Sequence, residues 1–376
     1  MEPFKNQYNE RSIRTLAQHI HRVWNEFPCD VFVAEAVAGL DSYELKGRVQ
    51  HIAQVLAASL PQDWGKAGDV LVAALGDEVD PEHSGSGVMD DSGVRGFMVM
   101  VLGDVVVGRG LDKPQQSLKI LRELTKRFTA EFAVRPFLRD HPKVTAAIFD
   151  VWVKDPSAHV RRLVSEGSRP RLPWSFRLQA FTDTFERTTA WLEALVDDPS
   201  LYVRRSVANH LGDIGKERPD VAIALAKRWL QQSTPERHWV VRHGLRYLLK
   251  QGHHGALEIL GYHEPRVAAT LKLDSQQVSV GETLSLACHI ISSSDDTQSL
   301  LIDYVVWHVR ANGLRTSSVF RWSKKELLAG ETLTLSKGHS FRRVTTRRYY
   351  GGEHRIELQI NGRILSGAEF ELNEEE

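Results

Sequence analysis

Two carboxylates in this chain stand at positions that are unfavourable for protein stability. Glu131 lies in FTAEFAVRPF among three phenylalanines, where burying an unpaired carboxylate is costly. Asp213 lies in NHLGDIGK, near the C-terminal end of a predicted helix, where the helix dipole disfavours negative charge. A carboxylate held in such a place can stabilise a developing positive charge or activate a water molecule. The alternative is that each carboxylate bonds a neighbouring arginine.

A second feature is a repeated arginine motif. DPSAHVRR at 155–162 returns as DPSLYVRR at 198–205, 43 residues later, and TPERHWVVRH at 234–243 is a weaker echo. Asp or Thr is expected to cap each helix, with Pro at its first position. A period near 43 is typical of HEAT-type helical pairs, whose equivalent positions line one surface. Arginines in such a row match nucleic-acid phosphates, although an arginine here can instead bond an aspartate of the neighbouring repeat.

The arginines expected to contact phosphates include two in the Arg-Pro-Arg-Leu-Pro-Trp corner that follows the first motif. The full set is Arg161, Arg162, Arg169, Arg171, Arg204, Arg205 and Arg242. Formal net charge is zero, but residues 111–262 carry 25 Lys and Arg against 17 Asp and Glu. This local excess of basic residues favours a polyanionic partner. The alternative is that these residues only solvate the outer faces of ordinary helices.

Several classes of protein and site are disfavoured by the sequence. Cys29 and Cys288 are far apart and form no CxxC pattern, so no disulfide framework or thiolate zinc site is expected. The histidines show no metal-ligand spacing, and His141, His159, His210 and His243 are expected at the surface or at phosphates. We therefore expect no metal and no cofactor. No apolar run approaches the roughly 20 residues of a membrane span, and no signal peptide is evident, so a cytoplasmic protein without a membrane partner is expected.

The periodicity of apolar residues changes along the chain. Helical spacing marks segments such as 118–128, 144–153 and 221–230, whereas alternation marks strands at 304–310 and 355–362. Asn312-Gly313 and Asn361-Gly362 are expected to form type I′ hairpin turns. We predict a mainly α fold, in which a HEAT-like repeat α-solenoid over residues 1–262 is followed by a small immunoglobulin-like β-sandwich over residues 263–376.

The β-region contains a second basic segment, RRVTTRRYYGGEHR at 342–355. Paired arginines beside tyrosines and glycines suit contact with phosphates and a groove, because glycine lets the backbone approach closely. We expect DNA contacts from Arg342, Arg343, Arg347 and Arg348, with Arg355 in the same loop, and the β-domain closing over the far side of a duplex. The alternative is a spacer or a protein-docking domain.

Four segments carry a resemblance to a known family. LTKRFTAEFAVRPFL, DPSAHVRRLVSEGSRPRLPW, DPSLYVRRSVANHLGDIGK and HWVVRHGLRYLLKQGH resemble the bacterial AlkC DNA glycosylases of the HEAT-like-repeat superfamily that also contains AlkD. One subgroup carries an additional immunoglobulin-like C-terminal domain. The resemblance implies hydrolytic excision of cationic alkylated bases, chiefly 3-methyladenine and 3-methylcytosine, from duplex DNA without base flipping.

The resemblance strengthens the functional interpretation of three residues. Glu131 and Asp213 would stabilise the sugar cation and activate a water, and Trp174 would contact the cationic base through a cation–π interaction. Trp239 could line the same groove or belong to the core. We expect a bacterial, nucleoid-associated monomer acting on alkylated double-stranded DNA. A non-catalytic HEAT scaffold that binds nucleic acid or protein is the alternative.

Overall fold

The computed structural model describes residues 3–81, 89–178, 185–344 and 348–374, and the helices all precede the strands. Short 3-10 helices cover Phe4–Gln7 and Leu40–Ser42. The α-helices are α1 (Glu10–Val23), α2 (Cys29–Val37), α3 (Leu45–Ser59), α4 (Trp64–Ala73), α5 (Met98–Gly110), α6 (Pro114–Thr125), α7 (Val134–Asp140), α8 (Pro142–Trp152), α9 (Ala158–Gly167), α10 (Glu186–Leu195), α11 (Leu201–Glu217), α12 (Pro219–Leu230), α13 (Pro235–Gly244), α14 (Arg246–Lys250) and α15 (His254–Ile259). Within the described ranges, no helix is long and apolar enough to cross a membrane.

The sequence repeat is also a repeat of contacts. Asp155 and Asp198 accept hydrogen bonds from the backbone amides two residues ahead, each at 2.9 Å. These bonds precede α9 and α11, so Pro156 and Pro199 lie before the first helical turn, and the prediction that each takes the first helical position is wrong. Only Pro235 of the third echo begins its helix, where its missing N–H costs nothing.

The strands form two sheets. They are β1 (Val267–Leu273), β2 (Gln277–Ser279), β3 (Thr283–Ser292), β4 (Gln298–Val309), β5 (Arg315–Leu327), β6 (Thr332–Ser340), β7 (Gly352–Ile360) and β8 (Arg363–Asn373). One sheet has the order β1-β3-β6, and the other has the order β2-β8-β7-β4-β5 with β2 parallel to β8. Alternating side chains from both sheets form one apolar core that includes Leu286, Val306 and Leu358. The predicted class, a helical region followed by an all-β region, is confirmed.

One of the two predicted hairpin turns is correct. Asn361 and Gly362 both have positive φ, 45° and 81°, as a type I′ turn between β7 and β8 requires. Between β4 and β5, only Gly313 has a positive φ, and its amide donates to the Arg310 carbonyl at 2.8 Å. The prediction for Asn312-Gly313 is therefore wrong, because the five-residue connection closes as a wider loop with glycine in the left-handed position.

The chain divides by its internal contacts into two compact units. The first comprises residues 1–217 and 234–240, and the second comprises residues 218–233 and 241–376. In the second unit the left-handed Gly252 lies against Gly362, so closely that a Cβ on Gly252 would stand 2.8 Å from the Gly362 carbonyl oxygen. Asn361 Nδ2 also donates to the His263 carbonyl at 2.7 Å. The last helices therefore pack with the strands, and a boundary at residues 262 and 263 stays a prediction.

Candidate active site

An aromatic cavity of about 290 Å³ lies within the first unit, and the sequence-predicted residues Glu131, Arg169 and Trp174 line it. Its walls are otherwise mostly aromatic and apolar: Phe4, Phe97, Met100, Phe128, Phe132, Leu172 and Pro173, with Thr129 and Glu166 as further polar groups. The floor comes from the connection between α6 and α7, and the rim comes from the segment after α9. This cavity brings two carboxylates, one guanidinium and one exposed tryptophan ring together.

Glu131 is held by two neighbours at the start of the turn before α7. Thr129 Oγ1 donates to Glu131 Oε2 at 2.8 Å, and Arg162 Nη1 lies 2.8 Å from the same oxygen. The Glu131 side chain is 12% exposed, so it is desolvated without being sealed off. Glu131 also lines a smaller cavity of about 210 Å³ with His159, Arg162 and Tyr202. It can therefore face a reacting group while its charge is balanced from one side.

A buried chain of alternating charges connects Glu131 to Asp213. Arg162 lies between Glu131 and Glu166, with its second nitrogen 3.7 Å from Glu166 Oε1. Arg169 then lies between Glu166 at 2.6 Å and Asp213 at 2.8 Å. Asp213 is 2% exposed, and its charge is balanced by Arg169 and by Lys216, whose Nζ lies 3.5 Å from Asp213 Oδ1. The two predicted carboxylates therefore belong to one electrostatic network.

Glu166 is the central carboxylate of this network. Burial favours its neutral form, but Arg162 and Arg169 outweigh burial and lower the pKa of Glu166 below its ordinary value. Ser206 adds a hydrogen bond at 2.6 Å to Glu166 Oε2. Burial likewise works against the charge of Arg162, yet Tyr202, Glu166 and Glu131 raise its pKa overall. Glu166 and Arg162 therefore stay charged at neutral pH.

Two histidines expected at the surface or at phosphates lie inside the first unit instead. His159 is 3% exposed and its Nε2 lies 2.6 Å from the Val79 carbonyl oxygen. His210 is fully buried, with Nδ1 2.9 Å from the Ser165 carbonyl oxygen, and burial lowers its pKa to about 4. The prediction is wrong for both, because each ring is buried by neighbouring helices and bonds to backbone. His210 is neutral at physiological pH.

The Trp174 corner is anchored by a residue that sequence analysis missed. Arg135 on α7 is fully buried and donates to the Gly167 and Arg169 carbonyls at 2.9 and 2.7 Å, and also to the Phe176 carbonyl. Burial lowers the pKa of Arg135 to about 10, leaving it charged. Trp174 itself is 55% exposed with φ of 63°, a left-handed conformation that non-glycine residues rarely adopt. Anchored carbonyls on both sides hold this conformation and present the ring.

The remaining arginines predicted in the helical region either bond to other residues or are exposed. Arg161 forms a two-point ion pair with Asp198 at 2.6 and 3.0 Å, while Arg204 donates to the Asp198 and Pro199 carbonyls. The Arg161–Asp198 pair joins successive repeats, as in the alternative interpretation, whereas Arg204 bonds the start of its own repeat. Arg171 pairs with Glu217. Arg205 is exposed and makes no hydrogen bond or ion pair within the described ranges, and Arg242 is exposed in the second unit.

The basic segment of the β-region is only partly described. Arg342, Arg343 and Arg348 are exposed, and the Arg348 guanidinium lies 5.2 Å from the Tyr350 ring. Arg347 lies outside the described residues. The prediction that Arg355 lies in the loop is wrong. Arg355 is on β7, where it pairs with Glu357 and Glu369 at 2.8 Å each. Trp239 is 37% exposed on α13. No group of His, Cys, Asp and Glu in the described ranges could hold a metal ion.

The sequence contains a signal for Glu166 but none for Arg135. Glu166 stands four residues after Arg162 and three before Arg169, spacings at which side chains meet on a helix. Arg135 stands in the short helix α7, and its carbonyl partners lie 32 to 41 residues away. Such a contact depends on the packing of α7 against the corner, so local spacing cannot reveal it.

Comparison with known proteins gives one profile match and two similarities that span the chain. Residues 267–374 match the family described as "Uncharacterised protein YhaZ, C-terminal Ig-like domain". The chain is 32% identical over 376 residues to the protein YhaZ of Bacillus subtilis (strain 168), covering 99% of this chain and all of YhaZ. It is 33% identical to the Pseudomonas fluorescens alkylpurine DNA glycosylase AlkC, solved bound to DNA containing an abasic site analogue. That structure matches with a TM-score of 0.88 over 99% of this chain and all of the other.

Proposed function

Because this chain belongs to the family that contains the DNA glycosylase AlkC and the protein YhaZ, we propose that it is a DNA glycosylase. Its substrates are cationic alkylated bases, chiefly 3-methyladenine and 3-methylcytosine, in duplex DNA. The proposal rests on the convergence of Glu131, Arg169 and Trp174 on one cavity, with Asp213 joined to it through Arg169.

The chemistry follows from the charge of the base. When the N-glycosidic bond of a cationic base breaks, the bonding electron pair leaves with the base and neutralises it. Positive charge then develops on the sugar, and a carboxylate near C1′ stabilises that charge. A water oxygen forms the new bond to C1′, and its proton passes to a carboxylate. Glu131 and Asp213 supply these two roles, so the products are a free base and an abasic site.

Trp174 would contact the alkylated base. An exposed indole face attracts a cation by about 0.5 to 2 kcal/mol. The ring stands at the rim of the cavity and is only half covered, so it can meet a base that remains within the duplex. This favours excision without base flipping. Lysine Schiff-base chemistry, a metal and a cofactor have no role in the proposed mechanism.

The arginines divide by what they contact. Arg162 and Arg169 are occupied by buried carboxylates, and we assign them to positioning Glu131 and Asp213. Arg161 joins two repeats through Asp198, and Arg204 bonds the backbone of its own repeat. The exposed arginines Arg205, Arg242, Arg342, Arg343 and Arg348 are proposed to bind phosphates. Arg171, which pairs with Glu217, and Arg347 are proposed as phosphate contacts from sequence alone. We propose that the protein acts as a cytoplasmic monomer on nucleoid DNA.

Base release from methylated genomic DNA tests this function. The protein should release 3-methyladenine and 3-methylcytosine, resolved by chromatography from 7-methylguanine. Glu131→Gln and Asp213→Asn should each lower single-turnover excision by about 10² or more, the range for losing one major electrostatic contact in a transition state.

Affinity for undamaged duplex should survive both changes, because neither residue is assigned to phosphates. Excision at the wild-type rate by either variant would remove that residue from the mechanism. A folded wild-type protein that binds DNA and releases no base would favour the alternative, a non-catalytic scaffold.

A further inference from the structure

A second cavity of about 240 Å³ adjoins the first, and the two share the side chains of Met100, Phe132 and Trp174 in their walls. Aromatic and aliphatic groups again predominate: Leu45, Val49, Met100, Phe132, Trp174 and Phe176, with Ser175 beside them. The polar side chains that reach it from α3 and α5 are Lys46, Gln50 and Asp104. The proposed chemistry uses none of these three.

Asp104 is the one carboxylate that lines this second cavity. It is the only charged residue in the first eleven positions of the apolar helix α5. Within the described ranges its side chain accepts no hydrogen bond and forms no ion pair, in contrast to Glu131 and Asp213. Burial raises the pKa of Asp104 to about 6, and the nearby charge of Lys46 lowers it only in part. A desolvated carboxylate in a cavity marks a binding position.

Three of the other polar side chains near Asp104 bond to backbone. Lys46 Nζ donates to the Trp174 carbonyl, and Tyr8 donates to the Phe97 carbonyl at 2.9 Å. A third cavity on the other side of Asp104 is lined by Arg109, which donates to the carbonyls of Ala57, Pro61 and Gln62. The site therefore retains a negative group that only the charge of Lys46 compensates, and only in part, beside three aromatic rings.

We propose that this cavity binds an N-methylated heteroaromatic cation, with Asp104 as its counter-charge and Phe132, Trp174 and Phe176 as its walls. Aromatic rings attract a methylated cation by their faces, and the carboxylate supplies the charge that an apolar cavity lacks. A neutral ligand would leave Asp104 desolvated and unpaired, and an anion would be repelled. The choice of cation class rests on the proposed function, in which the alkylated base contacts the same Trp174 side chain.

Binding of a free probe tests the site without any catalysis. We suggest 1-methylnicotinamide, a permanent cation of nucleobase size, with neutral nicotinamide as its matched probe. The full-length protein should bind the cation at least about tenfold more tightly, a difference of about 1.4 kcal/mol. Asp104→Asn should abolish that preference, whereas Asp112→Asn, which removes an exposed carboxylate just after α5, should keep it. Equal binding of both probes, or an unchanged preference in Asp104→Asn, would overturn the proposal.

Quenching of tryptophan fluorescence shows where the probe binds. The chain has nine tryptophans, so Trp174→Phe serves as the assignment variant. It should lose the quenching but keep the preference when binding is followed by calorimetry, because phenylalanine preserves an aromatic wall. Quenching that persists in Trp174→Phe would mean that the probe binds elsewhere and would reject this cavity. Because no step requires base release, a protein that binds the cation but excises nothing separates this inference from the proposed function.

Discussion

Arg169 donates from Nε to Asp213 Oδ2 at 2.8 Å, and this buried contact joins residues that are 44 positions apart. The Arg-Pro-Arg corner and the carboxylate predicted to be catalytic are thus one unit. The same guanidinium holds Glu166 at 2.6 Å, and Glu166 faces Arg162, the partner of Glu131. Glu131 and Asp213 are therefore not independent groups but the two ends of one charged chain.

Replacing Glu166 should weaken both ends of that chain. We predict that Glu166→Gln lowers single-turnover excision at least about tenfold, because Arg162 and Arg169 lose their shared anion and reorient. Adding Glu166→Gln to a Glu131→Gln and Asp213→Asn double variant should cause no further loss, since Glu166 acts through these residues. A further loss in the triple variant would show an independent role.

Two further variants distinguish a specific effect of Glu166→Gln from misfolding. Ser206→Ala removes only one hydrogen bond to Glu166, about 1 kcal/mol, and should give a smaller loss in the same direction. Glu123→Gln is the matched control, because Glu123 also pairs with several cations, Arg122, Lys126 and Arg127, outside the network. It should keep full activity.

Arg161 and Arg205 should separate structural arginines from phosphate-binding ones. Arg205→Ala removes an exposed cation that pairs with no described residue, so the slope of log affinity for DNA against log salt should fall by about one unit, with thermal stability unchanged. Arg161→Ala breaks a buried pair with Asp198 and should cost of order 3 kcal/mol of stability, with the salt slope unchanged. A smaller salt slope for Arg161→Ala together with lower stability for Arg205→Ala would reverse the assignment of the structural and the phosphate-binding arginine.

The basic loop of the β-region should contribute to DNA affinity. Arg342→Ala with Arg348→Ala should weaken binding about tenfold, roughly 1.4 kcal/mol, because both side chains are exposed cations. Arg355→Ala, which removes a cation from β7, should leave affinity unchanged. Point variants suit this test better than truncation, since a cut at residue 263 would divide the second compact unit. Full affinity in the loop variant would favour a protein-docking role for the β-domain.

Asp104 should make the protein less stable at neutral pH. Its pKa is raised by burial to about 6, so its contribution to stability is fully present at acid pH and is lost as the pH rises through that value. Asp104→Asn should therefore raise the free energy of unfolding at pH 8 by up to about 3 kcal/mol, and by much less at pH 4. Denaturant unfolding at both values measures this. A variant no more stable than wild type at pH 8 would mean that Asp104 is compensated in solution.

Local sequence determined much of the architecture. Helical and alternating periodicity located α6, α8, α12, β4 and β7, because burial of one face imposes a period on each element. Asn361-Gly362 predicted its turn, since few residue pairs adopt two positive φ values. Asn312-Gly313 failed because the number of residues between strands, which pairing decides, sets the turn type.

The identity of the important residues was also readable, but their partners were not. Glu131, Asp213, Trp174 and the arginines of the repeat stand out by type and motif. Only the tertiary structure decides which arginine pairs with a carboxylate and which stays exposed. Arg162 pairs with Glu131, whereas Arg205, at the equivalent position 43 residues later, is exposed. The same packing left Asp104 without a hydrogen bond or ion pair in the described ranges and gave Arg135 three carbonyls. The physical reason is that the energy of a charge depends on burial and on neighbours distant in sequence, which a linear pattern does not contain.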